Sequence, residues 1–355
     1  MALGRRAFLA SLAATGLARA GWAAAGSPSF LAAAKLPAGD YAILGLGARG
    51  DEIFRVALPG RGHAGAAHPT RPLAVAFARR PGVFARVIDC VNGAVLAELE
   101  PPTGRQFNGH GVFSSDGATL YTSEVVAKGS AGRIGVWDVA TWRRITEFST
   151  QGIGPHEILR LSGSDTLVVA NGGIQTDPLD RTPLNLGDMH PNLTYLAPDG
   201  AVLDQVELPD LALNSIRHLA VRADGAIGFA MQWQGDPFEA VPLLGLHRIG
   251  GAVQLCDPAL GEEFAMQGYA GSVAFCASGL RVAISSPKGG RVQIYDAQTG
   301  APIRSVGIPD VCGLGAAGDG FTATDGFGGV YLISDLGVEI GEKSAASFDN
   351  HLISL

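Results

Sequence analysis

The sequence has few of the features that mark helical, disulfide-linked or nucleic-acid-binding proteins. Only 17% of its 355 residues are charged, and the net charge of −7 argues against nucleic acid or an anionic membrane as a partner. No long stretch after the first 36 residues keeps the 3.6-residue period of an amphipathic helix, so extensive helix is not expected. The four cysteines fit no zinc-binding spacing, and we expect most of them to be buried and unpaired.

What the sequence does contain is glycine and short apolar runs. It has 50 glycines and 20 prolines, and Asp-Gly, Gly-Gly and Asn-Gly pairs repeatedly interrupt runs of valine, isoleucine, leucine and alanine. Such pairs favour the tight turns that join antiparallel strands. The composition therefore predicts an all-β protein.

Residues 1–25 have the pattern of a twin-arginine signal peptide. Paired Arg5 and Arg6 precede a mildly apolar stretch, and small residues offer cleavage after Ala20 or Ala25. A permanent membrane anchor is the alternative, which the glycines and arginine within the stretch disfavour. Because the leader carries three arginines and no acid, its removal would leave a net charge of −10.

The domain organisation follows from this leader. We predict a linker at 26–39 and a single domain at 40–355, exported to the periplasm already folded and without a membrane anchor in its mature form. Proteins that use this route are often exported with a cofactor in place, so the leader favours a bound cofactor. We expect a monomer.

A unit of two β-hairpins repeats along the domain. It is clearest at 109–150 and 268–309, where "VWDVATW" and "IYDAQTG" occupy the same position. The remaining units are 68–100, 154–209, 215–256 and 311–340, with 40–58 and "FDNHLISL" (348–355) left to share a seventh. The repeat predicts a seven-bladed β-propeller in which strands from both termini complete one blade and remove exposed edges. A six-bladed ring or a pair of β-sandwiches is the alternative.

One chemically active side chain stands near the start of the first strand of each predicted blade. These residues are His68, His110, His156, His218, Tyr269, Cys312 and His351. First strands line the central channel of a propeller, so the pattern predicts a ring of ligands around its mouth. Imidazole suits iron, copper or zinc, and cysteine would add a soft ligand. A ring of hydrogen-bonded structural histidines is the alternative.

Polar residues near the same end of the channel are candidates to support such a site or to bind substrate. Beside the predicted ring are Arg105, Glu157, Arg217, Asp310 and Asp349. The loops between second and third strands, longest at 171–191, add Glu124, Asn171, Arg181, Asn185, Met189 and His190. Long loops without secondary structure are often functional. The predicted ring and the long loops therefore both place the functional site at the same end of the propeller channel.

The domain contains the short motifs "RRPGVF", "GHGVFSSDG", "GIGPHE", "VANGGIQT", "LNLGDMHPNL", "SIRHLAV" and "DVCGL". Together they resemble the bacterial domain-of-unknown-function family 1513, and the resemblance runs from about residue 40 to 355. It implies a periplasmic propeller with no established activity. Its gene neighbourhoods imply partners in periplasmic iron uptake or redox chemistry, and its loop pattern singles out Arg181, Asn185 and Met189. One departure is Asn108, where the family more commonly has an aromatic residue.

Our leading hypothesis is a periplasmic protein that binds iron or copper at this ring and serves iron acquisition or redox chemistry. The alternatives are a non-catalytic docking module of an uptake complex and a metal-free hydrolase that uses His156 and Glu157 as acid and base. Noncovalent haem is a further alternative, because the absence of C-x-x-C-H excludes only covalent c-type attachment.

Overall fold

The computed structural model describes residues 21–80, 82–180 and 182–355. The paired arginines of the predicted signal peptide lie outside these residues. The last residues of that segment are described: Ala23–Ala25 form a short 3-10 helix, and the buried indole of Trp22 donates a hydrogen bond to the backbone carbonyl of His68. Among the described residues, no helix has the length and apolar character needed to cross a membrane.

The described residues form a seven-bladed β-propeller, as the sequence predicts. In chain order the strands are β1 (Phe30–Lys35), β2 (Tyr41–Leu46), β3 (Glu52–Leu58), β4 (Gly62–Ala67), β5 (Leu73–Ala78), β6 (Ala85–Asp89), β7 (Val95–Leu99), β8 (Arg105–Phe113), β9 (Thr119–Val126), β10 (Ala131–Asp138), β11 (Arg143–Ile153), β12 (Pro155–Arg160), β13 (Leu167–Asn171), β14 (Asn192–Leu196), β15 (Val202–Glu207), β16 (Asn214–Val221), β17 (Ile227–Trp233), β18 (Leu244–His247), β19 (Gln254–Cys256), β20 (Ser272–Phe275), β21 (Arg281–Ser286), β22 (Arg291–Asp296), β23 (Pro302–Gly307), β24 (Val311–Ala317), β25 (Gly320–Asp325), β26 (Val330–Ser334), β27 (Gly337–Ile340), β28 (Ser347–Phe348) and β29 (Ile353–Ser354). Further 3-10 turns lie at Leu186–Asp188 and Pro209–Leu211.

Six blades are four-stranded antiparallel sheets of consecutive strands. We number them 1 to 6, from β4–β7 to β24–β27. Blade 7 combines β1, β2 and β3 with β28 and β29, both of which pair antiparallel with β1. The innermost strands β4, β8, β12, β16, β20 and β24 contact one another in sequence, and β29 contacts both β4 and β24. These strands therefore surround the central channel. We call the end at which they begin the upper side.

Two sequence-based boundaries are wrong at the start of the domain. The predicted linker at 26–39 contains β1, in which Phe30 to Ala34 are all buried. A strand covered on both faces shows no alternation of apolar and polar residues, and its alanines give it little β-propensity. The first strand of blade 1 is Gly62–Ala67 and not the segment beginning at residue 68. It too consists mainly of glycine and alanine.

The core lies between neighbouring blades. Phe77 of blade 1, for example, packs edge-on against Phe107 of blade 2, which in turn packs against Trp137. All four cysteines, Cys90, Cys256, Cys276 and Cys312, are buried and free, as predicted. This packing fixes the inner strands of the seven sheets relative to one another. Side chains that these strands project into the channel are therefore held in fixed positions.

Candidate metal centre

The inner strands are irregular where they carry histidine. Register shifts, the mark of a β-bulge, occur over Gly62/Gly65, Phe107/Gly111, Pro155/Ile158 and Ile216/His218, and each segment contains or ends on a histidine. In blade 7 the inner strand is interrupted between β28 and β29, where His351 lies. A bulge bends its strand and redirects a side chain. The bulges can therefore turn side chains of successive residues toward the channel.

Five imidazoles meet in the channel. We call His63, His110, His156, His218 and His351 the histidine cluster. Each ring lies 4.6 to 5.0 Å, centroid to centroid, from the next in the order His63, His110, His156, His218, His351 and back to His63. They come from blades 1, 2, 3, 4 and 7, which are neighbours around the ring. The arrangement is one compact group and not an open circle, because His110 and His351 are also only 4.7 Å apart.

Gly109 permits this close approach. Its φ of +88° lies in the left-handed region, which is strained for residues with a side chain. A β-carbon at this position would also stand only 2.6 Å from Cδ2 of His63. The glycine before His110 thus serves both the bulge of β8 and the contact between two rings of the cluster.

Burial keeps the cluster neutral. All five residues are at most 8% exposed, and removal from water is the largest cause lowering the pKa of each of them. A positive charge on His110 would be repelled by charge on its neighbours in the cluster, which lowers the pKa of His110 further, and Arg217 has the same effect on His156 and His218. Neutral imidazole is the form that binds metal ions.

Several ring nitrogens of the cluster have nothing to bind. His110 Nε2, His156 Nδ1, His218 Nδ1 and His351 Nε2 are buried and have no hydrogen-bond partner among the described residues. A buried polar atom without a partner typically costs about 1–3 kcal/mol. Native proteins rarely leave such atoms unpaired, and four in one cluster call for an explanation.

Glu157 brings a carboxylate to the cluster. Its Oε1 lies 3.8 Å from His110 Nδ1 and its Oε2 lies 3.6 Å from His218 Nδ1, both beyond hydrogen-bonding distance. Oε2 accepts a hydrogen bond from the backbone N–H of Leu219, while burial raises the pKa of the carboxyl. His156 and Glu157 are adjacent in β12, and the bulge there explains how both reach the channel. Glu157 approaches His110 and His218, which differs from the acid–base pair expected with His156.

Asp349 orients one ring of the cluster. Its Oδ1 lies 3.1 Å from His63 Nδ1, and its Oδ2 accepts hydrogen bonds from Arg61 (2.8 Å) and Arg79 (3.1 Å). Burial opposes ionisation of Asp349, but His63 and the two guanidinium groups outweigh it, so its pKa lies well below the usual range. A carboxylate on one nitrogen of an imidazole fixes the ring and leaves the other nitrogen free for a metal.

Three overlapping groups of donor atoms in this region are close enough to hold an ion. They are His63, His110 and His351; His110, His156 and His218; and Glu157, His218 and His351, with the atoms of each group within 4.8 Å of one another. Below the cluster, a cavity of about 510 Å³ is lined by His110, Glu157 and His351 and continues past the later ends of the inner strands. We call it the lower cavity. A small molecule in it would contact both imidazole and carboxylate.

The other residues predicted for the ring lie elsewhere. His68 follows β4 at the lower end, where its Nδ1 accepts hydrogen bonds from the backbone N–H groups of Thr70 and Arg71. The place in the cluster that the sequence analysis assigned to His68 is occupied by His63, which lies at the other end of β4. Cys312 and Tyr269 line a second cavity on the upper side and not the cluster. Burial raises the pKa of Cys312 to about 12, so its thiol is neutral.

The predicted supporting residues divide between the channel and the blades. Asp310 lines the upper cavity, and burial raises its pKa. Arg217 is buried near the cluster, its Nε has no partner among the described residues, and burial lowers its pKa to about 10. Arg105 and Glu124 instead form ion pairs within blade 2, Arg105 with Glu147 and Glu124 with Arg144.

The loop residues have structural partners. Asn171 donates to the carbonyl of Thr150, and Asn185 donates to the carbonyl of Gly173 and so fastens the 172–191 loop. Met189 is 2% exposed, packed into the protein and unavailable as a surface ligand. His190 is exposed beside Asp188. Arg181 lies outside the described residues.

Comparison with known proteins adds a family and a fold. A family model described as "Protein of unknown function (DUF1513)" matches residues 56–355. No curated protein matches the sequence. Among solved structures, the hydrazine synthase of Kuenenia stuttgartiensis is similar at 15% identity and a TM-score of 0.59, over 86% of this chain and 90% of that one.

Two further structures support the fold. A chain of a mitotic checkpoint complex matches at 12% identity and a TM-score of 0.56, over 78% of this chain and 76% of that one. The WD40 repeats of RRP9 match at 10% identity and a TM-score of 0.60, over 81% of each chain. At such low identity these similarities establish the propeller alone.

Proposed function

The chain belongs to the DUF1513 family, and we propose that it binds a transition metal ion at the histidine cluster. The observation that carries this proposal is a set of buried nitrogens, on His110, His156, His218 and His351, for which the described part of the chain offers no hydrogen-bond partner. A bound metal would satisfy several of them at once and would offset the free energy that their burial costs.

The donor set narrows the choice of metal. Imidazole nitrogens and one carboxylate suit iron, copper, zinc or manganese, whereas the hard cations magnesium and calcium prefer oxygen ligands alone. No thiolate joins the set, because Cys312 lies outside it and its thiol is neutral. We favour iron or copper, for which nitrogen-rich sites with a carboxylate are common.

The protein residues have separate roles in such a site. His110, His156, His218 and His351 would supply ligand nitrogens, and Glu157 an oxygen. Asp349 would hold His63 so that Nε2 points away from the carboxylate and toward the ion. A metal there would act as a Lewis acid or electron carrier for a molecule in the lower cavity.

We extend the proposal to a cellular role in periplasmic iron handling or redox chemistry. The signal-like N-terminus and the family resemblance support the compartment. The docking-module alternative predicts instead that the cluster is inert and that exposed apolar residues of the loops, such as Leu179 and Phe238, make the important contacts.

The test is metal analysis of the full chain together with titration of metal-stripped protein. We expect close to one equivalent of iron or copper, and loss of tight binding in His110→Ala and His218→Ala. His247→Ala is the matched control, because His247 is equally buried but its two nitrogens are bonded to Tyr195 and Gly251. The proposal fails if the protein neither contains nor takes up a transition metal, or if His110→Ala and His218→Ala bind it as the wild type does.

A further inference from the structure

The upper cavity is a second chamber on the opposite side of the cluster. It measures about 470 Å³, and its walls come from the starts of inner strands, the end of β1, the 287–290 turn and the segment 347–350. A few of its residues, among them Asp349, also touch the cluster, but the residues that define the chamber are different from those of the lower cavity.

Positive charge is concentrated in the upper cavity although the protein as a whole is acidic. Among the described residues that line it are four cations, Lys35, Arg61, Arg79 and Lys288, and two acids, Asp310 and Asp349. The whole chain has a net charge of −7. A concave site of one sign, set in a protein of the other sign, attracts small ions of opposite charge.

The cations retain free donors. Lys35 and Lys288 form no ion pair with a described residue, and Lys288 rests 4.8 Å from the ring centroid of Tyr269. Arg61 and Arg79 both bind Asp349, but their bonds to it use only part of the five N–H donors of each guanidinium. Asp349 thereby fixes the two arginines in place, which lowers the entropy that a ligand must remove on binding.

The acids leave the cavity positive. Asp349 is fully engaged by His63, Arg61 and Arg79, and the pKa of Asp310 is raised by burial and by the nearby charge of Asp325. Tyr41, Tyr269 and Asn350, which carry neutral donor groups, also line the cavity. Such a set of donors is suited to oxyanions, since guanidinium and ammonium groups bind carboxylate and phosphate oxygens.

We propose that the upper cavity binds a small organic or inorganic polyanion through carboxylate or phosphate oxygens held by Arg61, Arg79, Lys35 and Lys288. The volume suits a molecule the size of a di- or tricarboxylic acid. This site goes beyond the metal centre and does not require it, because none of the four cations is a metal ligand.

The experiment is calorimetric titration of the full-length, metal-stripped chain with citrate, succinate and inorganic phosphate. We expect saturable binding of at least one of them, weakened at least tenfold by the double variant Lys35→Ala/Lys288→Ala and weakened further at high salt. Lys128→Ala is the matched control, because Lys128 is an exposed lysine outside the cavity. The control should bind the anion as the wild type does.

Two further measurements separate this proposal from the metal site. The lysine double variant should keep the metal affinity of the wild type, and His110→Ala should keep the anion affinity. Absence of saturable binding for all three anions up to about 10 mM would overturn the proposal. Binding that is unchanged in the lysine double variant and in Arg79→Gln would overturn it equally.

Discussion

His63 and His68 stand five residues apart at opposite ends of one short strand, and they illustrate two uses of a buried histidine. His63 is 7% exposed and His68 3%, so burial does not distinguish them. Around His68 the protein satisfies the ring locally: the backbone N–H groups of Thr70 and Arg71 donate to Nδ1, and the ring also forms a hydrogen bond with the backbone of Gly117. His63 instead has one nitrogen anchored by Asp349 and its ring against His110 and His351.

The difference lies in where the hydrogen bonds go. The bonds of His68 stabilise a turn, and its neighbours would lose partners without it. The cluster to which His63 belongs has nitrogens that no described neighbour binds. Whether its buried ring nitrogens have hydrogen-bond partners therefore separates a structural histidine from a candidate ligand more reliably than its burial or its position along the chain.

The largest difference should appear in metal affinity. His63→Ala removes an oriented imidazole from the cluster, and we expect the dissociation constant for iron or copper to rise about 100-fold, equivalent to about 2.7 kcal/mol. His68→Ala should leave it unchanged. Competition titration against a chelator of known affinity measures both. Equal affinities in the two variants would contradict the distinction.

The next effect concerns folding stability, which we expect to fall more in His68→Ala than in His63→Ala. His68→Ala leaves the backbone N–H groups of Thr70 and Arg71 without their acceptor, so we expect the free energy of unfolding to fall by about 2 kcal/mol. Urea denaturation of metal-stripped protein measures this loss. His190→Ala, at an exposed position, should change it little. A stability of His68→Ala equal to that of the wild type would show that these bonds are replaced by solvent.

Acid should destabilise the metal-free protein. The cluster histidines are buried neutral, with pKa values below 6.5 in the folded state, while the unfolded chain takes up protons near pH 6.5. The free energy of unfolding is therefore highest above that pH and falls as the pH decreases below it, by about 1.4 kcal/mol per pH unit for each extra proton in the unfolded state. His68, with a pKa lowered to about 4 chiefly by burial, adds to the same window. Denaturation at pH 7.5, 6.5 and 5.5 measures the slope, and a flat profile would mean that the cluster accepts protons while folded.

The smallest effect is a gain. His110→Phe removes a buried nitrogen without a partner and places an apolar ring beside the lower cavity, which has room for it. We expect the metal-free variant to be about 1 kcal/mol more stable than the metal-free wild type, and we expect the variant to bind the metal more weakly. The same substitution at His68 should lower stability. A loss of stability in His110→Phe would indicate that the His110 ring has a structural role.

Much of the fold was predictable because most blades have recognisable strand and turn patterns in the sequence. The hairpins around "SSDG" and the matching "VWDVATW" and "IYDAQTG" segments have alternating apolar residues and clear turn signals. Two strands were not predicted from the sequence, Phe30–Lys35 and Gly62–Ala67. Both are rich in alanine or glycine. Their strand conformation is imposed by pairing with neighbours, which residue preferences alone do not reveal.

The site was partly predictable for the same reason. The repeat placed four members of the cluster in one group: His110, His156, His218 and His351. Because the first strand of blade 1 was not recognised, His68 was predicted in the place that His63 occupies. The role of Glu157 depends on the bulge between Pro155 and Ile158, which breaks the alternation expected of a strand. In β4 and β8, the flanking glycines of "GHAG" and "GHG" are a local sign of the bulge. Tyr269 and Cys312 follow the repeat in sequence, yet they face the upper cavity and not the cluster.

The pairing of β1 with β28 and β29 has a consequence for the order of events in folding. His63 and its anchor Asp349 are 286 residues apart in the chain, so their contact is among the most distant that the fold makes. Such contacts form late, because the entropy of closing a long loop must be offset by structure already present. The cluster would then be assembled only after the blades have met around the channel. Metal uptake would in that case report the completion of folding, and partly folded chains would remain unloaded.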